Sequence, residues 1–260
     1  MRASYHTHTH RCGHARGSEQ EYIERAIAEG LEVLGFSDHA PMPYEKGFVS
    51  SYKMRPEEID DYFSTLLSLK EKYKSKIDIK IGFETEYYPS LWNKCLEFWR
   101  PYPVDYLILG QHFAPEETAR RKVYTGWDSP SKKRLVAYTD CMIKAMNTGL
   151  ITYVAHPDLI NYTGRNKALL KAERIRLISE AVRLDIPLEY NLLGLRQGRN
   201  YPDGQFWWLA AELGAKVIIG CDSHDPERVA NRAELDYAKR YLSARGLTVL
   251  DKIELRKVQL

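Results

Sequence analysis

Short apolar runs alternate along this chain with longer stretches in which apolar residues recur every three to four positions. The runs at 4–9, 32–39, 77–84, 106–110, 152–155, 187–190 and 216–220 have strand length. Ser18, three residues before Glu21, reads as a capping box that opens a helix reaching Glu29. A second helix is predicted from Pro56, with Ile59, Phe63, Leu66, Leu67 and Leu69 on its apolar face, and further helices at 132–147, 168–184, 206–213 and 226–241. Seven strands, each followed by a helix or loop, predict βα units around a mostly parallel sheet. A closed or nearly closed barrel suits that count better than a half-sized open sheet, although a doubly wound fold shares the alternation. No linker divides the chain, so residues 1–260 are expected to form one domain. The charged, Pro/Gly-punctuated segment 113–133 reads as a loop over the barrel mouth, and 248–260 as a last strand or an extension.

Composition narrows the possibilities. Thirty-eight basic and 35 acidic residues leave a formal charge of +3 with the signs interspersed, which gives no basis for expecting a nucleic-acid partner. No stretch reaches the 18 or so apolar residues that span a bilayer, and MRASYHTHTH has no apolar signal core, so no membrane partner and a cytoplasmic location are expected. Cys12, Cys95, Cys141 and Cys221 are widely spaced and read as reduced.

The histidines carry the chemical signal. None of the eight falls inside a predicted helix, and six close or directly follow a predicted strand. His10 and His14 lie in the first loop. In a barrel the C-terminal strand ends converge on one mouth, so such residues become neighbours. His6 and His8, two apart on a strand, point the same way, as do Asp222 and His224. Glu84 and Glu86 share a face by the same rule. A lone strand-end histidine is ordinarily a hydrogen-bonded loop residue; the ordered set needs a compensating cation, because imidazoles aimed at one place repel on protonation. Nitrogen and carboxylate donors without thiolate suit Zn, Mn or Fe(II) in a water-activating site, and nine donors exceed one tetrahedral ion.

These motifs, in the order Tyr5-His6-Thr7-His8-Thr9-His10, His14, Ser37-Asp38-His39-Ala40-Pro41, Gly82-Phe83-Glu84-Thr85-Glu86-Tyr87, Gly110-Gln111-His112-Phe113, Ala155-His156-Pro157-Asp158 and Asp222-Ser223-His224, resemble the polymerase-and-histidinol-phosphatase (PHP) superfamily, and within it the monofunctional histidinol-phosphatase branch. The resemblance runs over nearly the whole chain. It implies a distorted (β/α)7 TIM-like barrel with two or three divalent ions, zinc, iron or manganese. Carried over, His6, His8, Glu84 and Asp222 would hold one ion, Glu84 with His112 and His156 a second, and His14, His39 and His224 a third. His10 is left without a role.

The activity so implied is hydrolysis of the small phosphate monoester L-histidinol phosphate, a step of histidine biosynthesis, with a hydroxide bridging the ions as nucleophile. Glu84 would hold the ions that pair with the nucleophile, and His224, Asp158 or a metal-held water would protonate the leaving oxygen. Asp38 and Asp158 are candidates to orient ligand imidazoles. For the phosphate, the mouth loops offer Arg16, Arg165 and Arg196, of which the resemblance favours the last two. For the imidazole and amine of the substrate they offer Glu116 or Glu117 as counter-charge and Phe113, Tyr162 and Tyr190 as ring contacts. Rival readings are another PHP phosphoesterase or nuclease, and a metal-binding module without turnover. The oligomeric state has no signature in the sequence.

Overall fold

The computed structural model describes residues 1–45, 48–114, 116–118 and 122–258. Residues 115 and 119–121 of the expected mouth loop and the last two of the tail lie outside these. Eight parallel strands follow one another around the sheet in chain order: β1 (Ala3–Ser4), β2 (Val33–His39), β3 (Asp78–Thr85), β4 (Tyr106–Leu109), β5 (Ile151–Val154), β6 (Leu188–Asn191), β7 (Lys216–Gly220) and β8 (Thr248–Leu250). Helices α1 (Glu19–Ala28), α2 (Ile59–Tyr73), α3 (Trp92–Trp99), α4 (Lys132–Met146), α5 (Lys167–Arg183), α6 (Leu192–Arg196), α7 (Gly204–Glu212) and α8 (Arg232–Ser243) connect them.

The sheet curls until its ends meet. Past β1 the chain runs on through Tyr5–His8 and bridges the segment after β7: Thr7 pairs with Ser223, His8 N donates to Ser223 O at 2.9 Å, and Ser223 N to His6 O at 3.2 Å. The ring that closes at the mouth is therefore seven-membered, as the distorted barrel expectation has it, while β8 continues the sheet beside β7 at the opposite end. The tail beyond β8 supplies Ile253 and Leu255, which pack against the interior residues Ala3, Tyr5, Val33, Tyr106, Ile108, Tyr153, Ala155 and Ile218. That inner cluster fills the barrel floor with aromatic and aliphatic groups. Gly82 makes it possible, because a Cβ there would stand 2.3 Å from the Tyr106 carbonyl oxygen. The main core lies between the sheet's outer face and the helices, which is why strands buried on both faces read as near-continuous apolar runs.

Departures from the sequence reading have local causes. Of the predicted first strand 4–9, only Ser4 stays in the ladder with β2; Tyr5–His8 runs on to bridge Ser223, and Thr9 then caps a tight turn, Arg11 N donating to its side chain. The predicted helix 226–241 is broken into a turn at Pro226–Arg228 and α8, since Ala230 takes φ 52° and Asn231 starts a new helix by accepting from Glu234 N. Helix α3 was not expected: its three buried residues, Trp92, Cys95 and Trp99, are too few to show a period in a segment this short.

Candidate metal centre

The donors arrive at the mouth from six strand ends and one loop. His6 and His8 come from the extension of β1, His39 from the end of β2, Glu84 from β3, His112 from just past β4, His156 from just past β5, and Asp222 and His224 from just past β7. His14 enters from the loop before α1. The structure brings all nine residues into one cluster. Glu84 Oε1 lies 2.8 Å from His156 Nε2 and 3.7 Å from His112 Nε2; its Oε2 lies 2.9 Å from His39 Nδ1 and 3.5 Å from both His6 Nε2 and His8 Nε2. Asp222 Oδ1 stands 3.2 Å from His8 Nε2, 3.5 Å from His6 Nε2 and 3.4 Å from His224 Nδ1. The His14 ring joins by stacking on His224 at 4.7 Å.

The partners of the far ring atoms fix which nitrogen faces inward. A carboxylate or carbonyl accepts, so His6 Nδ1 donates to Glu189 Oε2 at 2.7 Å, His14 Nδ1 to Cys12 O at 2.9 Å and His224 Nδ1 to Asp222 O at 3.2 Å. That leaves the Nε2 lone pairs of His6 and His224 buried without a hydrogen-bond partner, along with Glu84 Oε2 and both ring nitrogens of His8. Buried polar atoms are rarely left so, and donor atoms of several three-residue sets here, among them His6–His8–Glu84, His6–His156–Asp222 and His8–His39–His224, lie within 4.8 Å of one another. The residues fit divalent cations. The overlapping sets also mean that geometry alone does not divide the donors into the three groups implied by the resemblance.

Electrostatics agree. Burial and neighbouring imidazoles push the His224 imidazolium down to about 3, and burial together with His156 and Lys53 does the same to His112 despite Glu84. Burial also pulls on His6, but Glu189, Asp222 and Glu84 carry it well above the usual value. Glu84 and Asp222 are held well below the ordinary carboxylate range, burial being outweighed by the imidazoles around them. His156 and Asp222 are also held at φ 28° and 46°, a strained backbone of the kind that functional sites retain.

Above the cluster opens a cavity of about 600 Å³, the size of a small-molecule site. His14, His39, His112, Asp222 and His224 form its floor, Tyr52, Tyr124, Trp127 and Tyr201 its aromatic walls, and Arg199 is the one lysine or arginine among its described lining residues. Arg199 Nη1 donates to Tyr201 Oη at 2.7 Å and its Nε to Gln197 Oε1 at 2.8 Å.

Most residues expected to bind substrate lie elsewhere. The Arg16 guanidinium is exposed and paired with Asp225, Arg165 is exposed and lines no part of the cavity, and Arg196 turns outward to Glu234 at 2.8 Å. Glu116 binds Ser90. Glu117 is buried, accepting from Tyr44, Ser50 and Lys53, and so is committed within the protein. Phe113 is buried beside His39 and His112 in a small recess next to the mouth. Tyr162 faces a separate groove of about 990 Å³ on the barrel's outside, which among the described residues shares only Asn161 and Asn200 with the mouth. Tyr190, on the outward side of β6, packs on Trp207 and Tyr241. Asp158 sits behind the cavity wall, accepting from Asp203 N at 2.6 Å and Trp207 Nε1 at 3.1 Å, with burial raising its carboxyl to about 7. Glu86 lies past the end of β3, and so leaves the Glu84 face for Lys53, Tyr88 and Phe113 N. His10 is exposed.

Glu189, Asn191, Lys53 and Arg199 escaped the sequence reading, as did the cavity residues Tyr52, Tyr124, Trp127 and Tyr201. A glutamate and an asparagine alternating in the apolar strand β6 were the available signal for the first two.

A parallel barrel whose strand ends present clustered imidazoles and carboxylates under a small polar cavity is the architecture of a metallohydrolase. The chain belongs to the PHP domain family, whose sequence model matches residues 4–191. It is 26% identical to a probable histidinol-phosphatase of Deinococcus radiodurans over 253 residues, covering 94% of each chain. It is 30% identical to a histidinol-phosphatase of Lactococcus lactis over 240 residues, covering 86% of this chain and 84% of that protein. In fold it is similar to the crystal structure of the Lactococcus lactis histidinol phosphate phosphatase, complexed with zinc, L-histidinol and phosphate, with a TM-score of 0.73 at 20% identity over 97% of both chains.

Proposed function

We propose that the protein is a metal-dependent phosphatase that hydrolyses L-histidinol phosphate to L-histidinol and phosphate. The observation that carries this reading is the division of labour at Glu84: one carboxylate oxygen faces His156 and His112, the other His39, His6 and His8. A carboxylate so placed can bridge two cations. By the family pattern His6, His8, Glu84 and Asp222 would hold one ion, Glu84 with His112 and His156 a second, and His14, His39 and His224 a third. Bound zinc, iron or manganese supplies Lewis acidity toward a phosphoryl oxygen and brings the ionisation of water toward neutral pH.

The chain's own groups do the rest. Arg199 presents a planar guanidinium to the phosphate, held in place by Tyr201 and Gln197. Tyr52, Tyr124 and Trp127 give the substrate's imidazole flat faces. His224 lies at the cavity edge with Nδ1 committed to the Asp222 carbonyl, so its Nε2 is the atom turned to the ions. Asp158, held behind the wall, orders the 201–207 segment rather than donating a proton to the leaving oxygen. The substrate assignment is supported by the names of the relatives, each spanned over more than four fifths of its length. A cytoplasmic location accords with four free, buried cysteines. Phosphate release from L-histidinol phosphate, lost on chelation and regained with added divalent metal, is the deciding assay; metal-loaded protein that releases phosphate from none of a panel of monoesters would overturn the reading.

A further inference from the structure

Strand β6 contributes none of the nine donors, yet Glu189 and Asn191 both turn from it into the cluster. We infer that Asn191 is a positioning residue that ties the metal pocket to the loop carrying Arg199. This rests on the reading above that Asp222 and His6 hold divalent ions.

The amide works in two directions. Asn191 Nδ2 lies 2.6 Å from Glu189 Oε1 and 3.1 Å from Asp222 Oδ2, so its two N–H groups serve two carboxylates. Asp222 is thereby oriented with Oδ1 toward His6 and His8, while Glu189 fixes the His6 tautomer through its other oxygen. Asn191 Oδ1 meanwhile accepts from Gly194 N at 2.8 Å, capping α6. The opposite amide orientation would set N–H against N–H and oxygen against two carboxylates, so only one is allowed.

From the cap the connection runs to the mouth. A Cβ on Gly194 would stand 2.4 Å from the Tyr201 ring, so the first turn of α6 packs directly on Tyr201, whose hydroxyl receives Arg199 Nη1. Asn191 thus holds Asp222 with its amide N–H groups and, with its oxygen, the turn of α6 that packs on the Tyr201 ring to which Arg199 donates.

Three variants of the full chain separate the parts. The readouts are zinc affinity by competition with a chromophoric chelator, and affinity for inorganic phosphate by calorimetry on zinc-saturated protein. Glu189→Gln replaces the acceptor of His6 Nδ1 while leaving an amide oxygen for Asn191 Nδ2, and is expected to weaken zinc about 10- to 100-fold with phosphate affinity unchanged. Asn191→Asp keeps the cap but loses both N–H donors, and is expected to weaken zinc and spare phosphate. Asn191→Ala loses both ends and is expected to weaken zinc and, by about 10-fold, phosphate as well. A purely structural role would lower the melting temperature and leave both affinities alone. Asn191→Ala that shifts one affinity without the other overturns the coupling; should that variant not fold, Asn191→Asp with zinc affinity unchanged, or with phosphate lost in step with zinc, overturns it equally. Wild-type protein that binds no zinc would instead remove the metal-site reading, and this inference with it.

Discussion

The indole Nε1 of Trp207 donates to the Asp158 carboxylate across 3.1 Å, and Asp203 N donates to the same oxygen at 2.6 Å, so that oxygen is already engaged within the protein. Asp158→Asn keeps an oxygen for Trp207 and Asp203 and is expected to hold kcat/KM within about 10-fold of wild type. Glu84→Gln, removing a shared ligand, is expected to cost more than the roughly 100-fold upper range for partners outside the coordination sphere. Steady-state kinetics on L-histidinol phosphate decide it: comparable losses in the two variants would return Asp158 to the chemistry.

Among the arginines, the expectation is asymmetric. Arg199→Ala removes the guanidinium from the mouth and is expected to lower kcat/KM by on the order of 10- to 100-fold, as loss of a charged hydrogen bond does. Arg165→Ala and Arg196→Ala are expected to stay near wild type, and Arg196→Ala to cost at most about 1 kcal/mol through its ion pair with Glu234. A large kinetic loss in Arg196→Ala with Arg199→Ala unaffected would reverse the assignment.

Lys53 joins two loops and a strand end from the inside. Its ammonium lies between Glu86 and Glu117, all three buried, and burial that alone would lower its basicity is overcome by the two carboxylates. Lys53→Met strands both acids, and about 3–5 kcal/mol of stability should go with it. Urea unfolding followed by circular dichroism checks this, and adding Glu86→Gln to the variant should recover part of the loss. A cost below about 1 kcal/mol would mean that the loops are held by other contacts.

Chelation should destabilise as well as inactivate. Ligands bound only to the folded state add RT ln(1 + [L]/Kd), about 4 kcal/mol at a thousandfold excess. A melting curve with and without chelator, and again after readdition of zinc or manganese, should move down and back. An unchanged midpoint in protein verified to carry metal would show that the cluster folds equally well without ions.

Much of the fold was legible because parallel strands buried on both faces write themselves as apolar blocks, and the barrel's convergence explains why His39, His112, His156 and His224 fall just where those blocks end. The loop residues were harder. Arg196 and Arg199 are three positions apart, and nothing in their neighbours tells that a five-residue helix turns the first outward and delivers the second to the mouth. Glu117 and Lys53 are separated by 64 positions, so their pairing appears only in three dimensions. Glu189 could have been suspected, since an acid in the middle of a buried strand must find a partner.

The bridge between Thr7 and Ser223 closes the ring at the same height as the chemistry, with His6 and His8 on one side of the join and Asp222 and His224 on the other. Selection for heat resistance and selection for turnover therefore bear on the same few positions at this rim, while the floor packed by Ile253 and Leu255 answers to the first alone. Sequence libraries screened for robustness and turnover together should accumulate changes at the floor and spare the rim.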